Sequence, residues 1–198
     1  MENSNEKPRP QLDREAWINS ASDILAEDGL PGLRVEVLAK RLNVTKGSFY
    51  WHFKDRNDLL QAVLLAWKEG RIRDIVKQTQ CEPGEERAQI FRLMEVYGEG
   101  RNRRGILNEL AVREWAQRDP AAAAIVGEVD GCRLERGRQL FLACGMSMEE
   151  ATSRSLLLYA YVFGSSLMIY EDIQNLPRLR QEIAAMVAGV SSAANGPA

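Results

Sequence analysis

Residues 35–53 read VEVLAKRLNVTKGSFYWHF, and their spacing decides the fold. Val35, Leu38, Ala39 and Leu42 recur at helical intervals, which predicts a helix over Val35 to Leu42 with one buried face. Asn43 and Val44 leave only a short turn before a second helix opens at Thr45 or Lys46 and runs to about His52. A turn this short cannot lay two helices antiparallel, so they must cross at an angle, as in a helix-turn-helix. Ala39 is small enough for a close crossing, Val44 can plug the gap between the helices, and Asn43 tolerates a positive φ better than most residues.

In the second helix, Phe49 and Phe53 are four apart and share a face expected to point inward. That turns Lys46, Gly47, Ser48, Tyr50, Trp51 and His52 outward. The hydroxyls of Thr45 and Tyr50, the Lys46 cation and the helix N-terminus suit phosphate oxygens, while Gly47 lets another backbone come close. Thr45 has the alternative of simply capping the helix. From Leu33 to Arg56 there are six cations (Arg34, Lys40, Arg41, Lys46, Lys54 and Arg56) against two acids, Glu36 and Asp55, in a chain whose net charge is -2. Such a cluster is ordinarily a solvated face. On a helix of this motif, which enters the major groove, it is expected to meet double-stranded DNA. Thr45, Lys46, Tyr50, His52 and Lys54 would then hold the backbone, with Ser48, Trp51 and Lys46 nearest the base edges.

Read outward from this motif, the chain is all-α. Pro31, Pro83, Pro120 and Pro177 fall between periodic segments, and no sustained alternation or tight hairpin signal occurs. About nine helices are predicted. The first runs from Arg14 to Asp28, capped by Asp13 and stopped by Gly29, with Trp17, Ala21, Ile24 and Leu25 as its apolar stripe. The fourth opens at an Asp55/Asp58 capping pair and continues to about Lys77. Asp119-Pro120 opens the seventh, and a Ser147–Glu150 capping box opens the eighth, which is expected to reach about Asp172. The expected domains are 11–60, a three-helix DNA-binding unit, and 61–192, a helical regulatory and dimerisation unit.

Arg14 to Leu60 resembles the N-terminal domain of the TetR family. The resemblance rests on Ala21, Gly29, Val35, Leu38-Ala39, Val44-Thr45-Lys46-Gly47-Ser48-Phe49-Tyr50, His52-Phe53-Lys54 and Asp58-Leu59-Leu60. It implies a DNA-binding domain, a helical ligand-binding and dimerising domain, and release from a DNA operator when a small-molecule effector binds. Two positions depart from the family pattern: Leu33-Arg34 stands where Thr-Thr is common, and Asn43 where Gly is. Arg34 would replace a hydroxyl–phosphate contact with a charged one.

Helix eight carries Leu156 to Ile169 with apolar residues on nearly all sides, so it needs burial on two faces, against its own core and against a second copy or the centre of a monomer. Ala160, Gly164, Leu167 and Met168, with Leu179, Ile183, Met186, Val187 and Val190 of helix nine, are the expected homodimer interface, which implies a palindromic operator. Phe91, Met94, Tyr97, Asn108, Leu110, Arg113, Trp115, Val126, Val129, Tyr159 and Phe163 could line an effector pocket or be plain core. Three cysteines, Cys81, Cys132 and Cys144, with no metal spacing, suggest reduced thiols and a cytoplasmic protein. No cofactor, metal site, membrane span or catalytic residue is predicted. His52 is the sole histidine, and no phosphate loop or dinucleotide fingerprint is present. A regulator without a small-molecule ligand and an α-helical enzyme are the competing readings.

Overall fold

The computed structural model describes residues 12–98, 103–168 and 174–189, the side chains of 96–98 and 103 excepted. Among the described residues there are nine helices and no strand: α1 (Arg14–Gly32), α2 (Val35–Arg41), α3 (Lys46–Phe49), α4 (Arg56–Thr79), α5 (Glu86–Gly98), α6 (Arg103–Ala116), α7 (Pro120–Ala143), α8 (Met148–Leu167) and α9 (Leu176–Ala188). No helix of the described residues is long and apolar enough to cross a membrane.

The local signals explain the helix ends. Asp13 accepts the Ala16 amide at 2.8 Å to start α1. Gly29 (φ 68°) breaks α1 before its last short turn, in a region that favours glycine. Asp55 accepts the Asp58 amide at 2.9 Å, and Asp58 accepts the Lys54 amide at 3.0 Å, a reciprocal cap on α4. Asp119 caps α7 through the Ala121 and Ala122 amides and accepts Trp115 Nε1 at 3.0 Å. The indole hydrogen bond, with those amides, holds its carboxyl below the ordinary range. Ser147 accepts the Glu150 amide at 3.2 Å at the start of α8.

Two helices end earlier than the sequence suggests. α3 stops at Phe49. α8 stops at Leu167 because Met168 takes an extended backbone. Ser165 and Ser166 donate to the carbonyls of Val162 and Phe163 three residues back, a bond that competes with the helical ladder. α9 is closed from outside: Arg154 of α8 donates to the carbonyls of Met186 and Val187, each at 2.8 Å, and Gly189 takes φ 70°.

Two apolar cores organise the helices. The first joins Trp17, Ile24, Leu25, Leu38, Phe49 and Phe53 to Val63 and Trp67 of α4 and to Val112, Trp115, Val126 and Val129 of α6 and α7. The second is built from α5, α7, α8 and α9 around Ile90, Phe141, Leu158 and Val187. The expected boundary at 60/61 therefore falls inside α4, and the core below the helix-turn-helix continues into the C-terminal half.

α7 and α8 pack closely at Gly137, where an added Cβ would lie 2.6 Å from Ser155 Oγ and 3.0 Å from Tyr159 Cε2. Ser155 is buried and donates to the Leu134 carbonyl at 2.8 Å, so it cannot simply move aside. Gly127 on the same helix has open space at that position. Gly137→Ala should lower stability in chemical denaturation by about 1–3 kcal/mol through overpacking. Gly127→Ala should raise it by up to about 1 kcal/mol through helix propensity.

Candidate nucleic-acid interface

The candidate surface is built on an aromatic base. Phe49 and Phe53 are buried, as their spacing requires, with their rings stacked at 5.3 Å. Phe49 meets the ring of buried Trp17 edge-on at 5.6 Å, and the Arg14 guanidinium lies 4.7 Å from the Phe53 ring centroid. Asn43 takes φ 53°, so the turn before α3 is made by a non-glycine residue in the left-handed region. The Val44 amide bonds back to the Ala39 carbonyl at 3.0 Å.

On the opposite side, Thr45, Lys46, Gly47, Tyr50, Trp51 and Lys54 are exposed, and Ser48 and His52 are half-buried. Trp51 is 88% exposed and Tyr50 57%; an indole so exposed contributes nothing to the core. The His52 ring tilts toward Trp17 at 6.3 Å. Thr45 occupies the N-cap position of α3 but takes no backbone amide; its hydroxyl instead meets that of Ser48 at 3.1 Å. Of the two roles expected for Thr45, the side-chain cap is the one the structure lacks. At Gly47 an added Cβ would meet only Thr45 Oγ1, at 3.7 Å, so nothing inside the fold requires a glycine there.

The local positive charge is partly engaged within the protein. Arg41 forms a bidentate pair with Glu27 at 2.6 and 2.8 Å. Arg56 donates to the Leu33 carbonyl at 2.6 Å and the Leu30 carbonyl at 3.1 Å, fastening the start of α4 to the end of α1. Lys46 pairs with Glu36 of α2. That hydrogen bond lowers the Glu36 carboxyl and raises the Lys46 ammonium from their usual values, so both stay charged near neutrality. Arg34, at the N-cap of α2, is exposed, as are Lys40 and Lys54. Sequence counting identified the cations, not these internal partners.

The eleven residues expected to line an effector pocket do not form one site. Trp115, Val126 and Val129 are buried in the first core and Tyr159 in the second. Leu110 is half-buried, and Asn108 Oδ1 is buried without a hydrogen-bond partner. The Tyr97 side chain lies outside the described residues. Phe91 and Met94 do line a cavity of about 240 Å³, completed by Glu95, Tyr161, Pro177, Arg180, Gln181 and Ala184 from α5, α8 and α9. Arg113 and Phe163 come together elsewhere, with the Arg113 guanidinium 4.5 Å from the ring centroid. Periodicity marked these positions as buried but could not say against which helix.

The expected dimer residues also divide. Ala160, Leu167, Met168, Leu179 and Met186 are exposed, and Gly164 is half-buried. Val187 is buried within its own chain and Ile183 packs partly against that same core, so neither is free as expected. Val190 lies outside the described residues. Leu156 and Leu157, one turn before Ala160, join the exposed apolar stripe.

This is the architecture of a helix-turn-helix DNA-binding protein with an all-helical second half. Residues 18–63 match the family described as bacterial regulatory proteins, tetR family. The class C tetracycline repressor of Escherichia coli is 43% identical over 53 residues, covering 27% of this chain and 24% of the repressor. The transcriptional regulator AcrR of Shigella flexneri is 29% identical over 82 residues, covering 40% of this chain and 37% of that protein. The aligned stretch thus spans about a quarter of the length of the tetracycline repressors it matches. Over nearly the whole chain the fold is shared with a regulator from Saccharomonospora viridis solved in complex with choline (TM-score 0.72, 15% identity, 88% of this chain and 94% of that one). It is also shared with a regulator from Rhodococcus sp. Rha1 (TM-score 0.68, 22% identity, 90% and 95%). Residues 18–63 are therefore similar to the DNA-binding domain of the tetR family, and the chain as a whole shares its fold with solved transcriptional regulators.

Phe49→Ala should cost about 3–5 kcal/mol in denaturant unfolding, because it opens a cavity under α3. Trp51→Ala, which removes an exposed side chain, should leave the unfolding free energy within about 0.5 kcal/mol of wild type.

Proposed function

We propose that this protein represses transcription by binding a palindromic DNA operator as a homodimer and leaves it when a small-molecule effector binds. The observation that carries the reading is the face of exposed Lys46, Tyr50 and Trp51 with half-buried Ser48 and His52, held over the buried Trp17–Phe49–Phe53 cluster. Tyr50, Lys54, Thr45 and His52 contact phosphates, and Arg34 adds a charged phosphate contact from the start of α2. Lys46 exchanges Glu36 for a phosphate or a base edge. Trp51 presents an apolar edge suited to a thymine methyl group, and Ser48 can bond to either base of a pair. Gly47 leaves room for the DNA backbone to approach.

The dimer forms on α8 and α9. Leu156, Leu157, Ala160, Leu167, Met168 and Met186 make a stripe too apolar to leave in water. A two-fold axis through it presents two reading helices, which must stand about 34 Å apart to enter successive major grooves. The cavity between α5, α8 and α9 is the effector site. It has aromatic walls in Phe91 and Tyr161 and carries one acid, Glu95, and one base, Arg180. The choline-bound relative of like fold supports small-molecule binding in this architecture.

Operator DNA selected from random duplexes should be palindromic. With about four phosphates held per subunit, log affinity should fall with log salt at a slope of about -7. Lys54→Ala should reduce that slope by about 1 per subunit and weaken all sequences alike, whereas Trp51→Ala should relax the preference at one position per half-site. A slope near zero on every duplex would exclude this function.

Leu156→Glu places a charge in the apolar stripe. It should shift the protein to monomers in sedimentation and lower operator affinity at least about tenfold, with the monomer still folded by circular dichroism.

A further inference from the structure

The regulatory half contains four charges that the proposed DNA contacts and the effector cavity leave unexplained. Arg133 of α7 is buried and grips buried Glu109 of α6 through two parallel bonds of 2.9 Å. Outside this pair, Asp130 accepts Arg113 at 2.5 and 2.9 Å and Arg133 at 3.0 Å. One carboxylate is therefore held by three N–H groups from two guanidiniums. The Phe163 ring of α8 covers both cations, at 4.5 Å from Arg113 and 5.1 Å from Arg133.

The arrangement is graded. The Glu109 and Arg133 side chains are 7% and 5% exposed, while that of Asp130 is 35% exposed. Burial by itself would raise the Asp130 carboxyl, but the hydrogen bond and charge of Arg113, with Arg133, hold it below its usual value. A buried ion pair is a poor source of stability compared with an apolar packing of the same volume. Here the outer carboxylate is also the member of the network that solvent reaches most readily.

We propose that Arg113 and Arg133 form a recognition site for a planar organic carboxylate, which enters by exchanging for the Asp130 side chain. The exchange conserves charge: one carboxylate leaves the two guanidiniums for water and another takes its place, so no buried cation is left uncompensated. A neutral or cationic ligand would leave two guanidiniums sharing one carboxylate, that of Glu109, which accepts Arg113 Nε at 3.0 Å as well as Arg133. Phe163 offers a ring face to the organic part of the ligand. Asp130 thus acts as an internal competitor that keeps the site satisfied when it is empty of ligand. Its position suits control of the DNA-binding half, because α6 packs on α1 and α7 packs on α4. The inference rests on the regulatory role proposed for this half but does not require the α5/α8/α9 cavity.

Isothermal titration at neutral pH with sodium benzoate as probe, on the full-length protein, tests the proposal. Asp130→Ala removes the competitor and should bind benzoate about tenfold more tightly than wild type, since the site no longer has to open. Benzamide, of the same shape without the charge, should bind neither protein. Benzoate-loaded Asp130→Ala should bind operator at least about fivefold more weakly than the same variant alone. Asp130→Asn, which keeps the side-chain volume, should show the same gain and serves if the alanine variant does not fold. The proposal is overturned if neither variant binds benzoate more tightly than wild type, if benzamide binds equally well, or if saturating benzoate leaves operator affinity unchanged. Operator binding by ligand-free wild type is measured separately. Its absence would defeat the DNA-binding reading, while the titration would still decide whether the carboxylate site exists.

Discussion

Everything at the helix-turn-helix end depends on the packing of Phe49 against Trp17. α3 is four residues long, far too short to persist by its own hydrogen bonds, because helix nucleation is unfavourable below several turns. The helix exists because Phe49 and Phe53 are anchored in an apolar core, and Tyr50 and Trp51 point outward as a result. The same core runs on through Trp67 into Val112, Trp115, Val126 and Val129. α3 is therefore mechanically continuous with α6 and α7, and a shift of those helices cannot be isolated from it.

Electrostatics in this protein is local, not global. The chain is slightly acidic overall, and several cations around the motif already have partners in Glu27, Glu36 and backbone carbonyls. Internal pairing keeps long side chains in defined places and leaves a smaller set, Arg34, Lys40 and Lys54, facing solvent beside the aromatic groups. Deeper in, the Glu109–Arg133 and Arg113–Asp130 pairs lock α6 to α7 by satisfying charge, in a place where apolar residues would also have packed. Charge is thus put to two uses: outside it faces solvent, where it is available to the proposed DNA partner, and inside it fixes the relation of two helices.

Much of the local structure was legible in the sequence. The capping residues Asp13, Asp55, Asp119 and Ser147 each accept the amides their spacing implies. Gly29 and Asn43 take the left-handed conformations expected of them. These are short-range effects, decided within three or four residues, so a linear reading captures them. The outer side of α3 was legible in part for the same reason: with Phe49 inward, Lys46, Gly47, Tyr50 and Trp51 are exposed, while Ser48 and His52 are half-buried. Errors gathered where a side chain had to choose among distant partners. Arg56 reads as surface charge in the sequence but serves as a backbone clasp, and Val187 reads as an interface residue but is core.

The amino-acid order by itself determined the helices, most of their ends, and which face of the helix-turn-helix is apolar, because hydrophobic periodicity and capping act over a few residues. The tertiary structure alone decided which buried positions line a cavity, which close against α4, and which arginines meet which carboxylates. Those choices depend on contacts between residues 17 to 60 positions apart, such as Arg113 with Asp130 and Lys68 with Glu128. No local pattern encodes such pairs, since any buried helix face satisfies the same periodicity whatever it packs against.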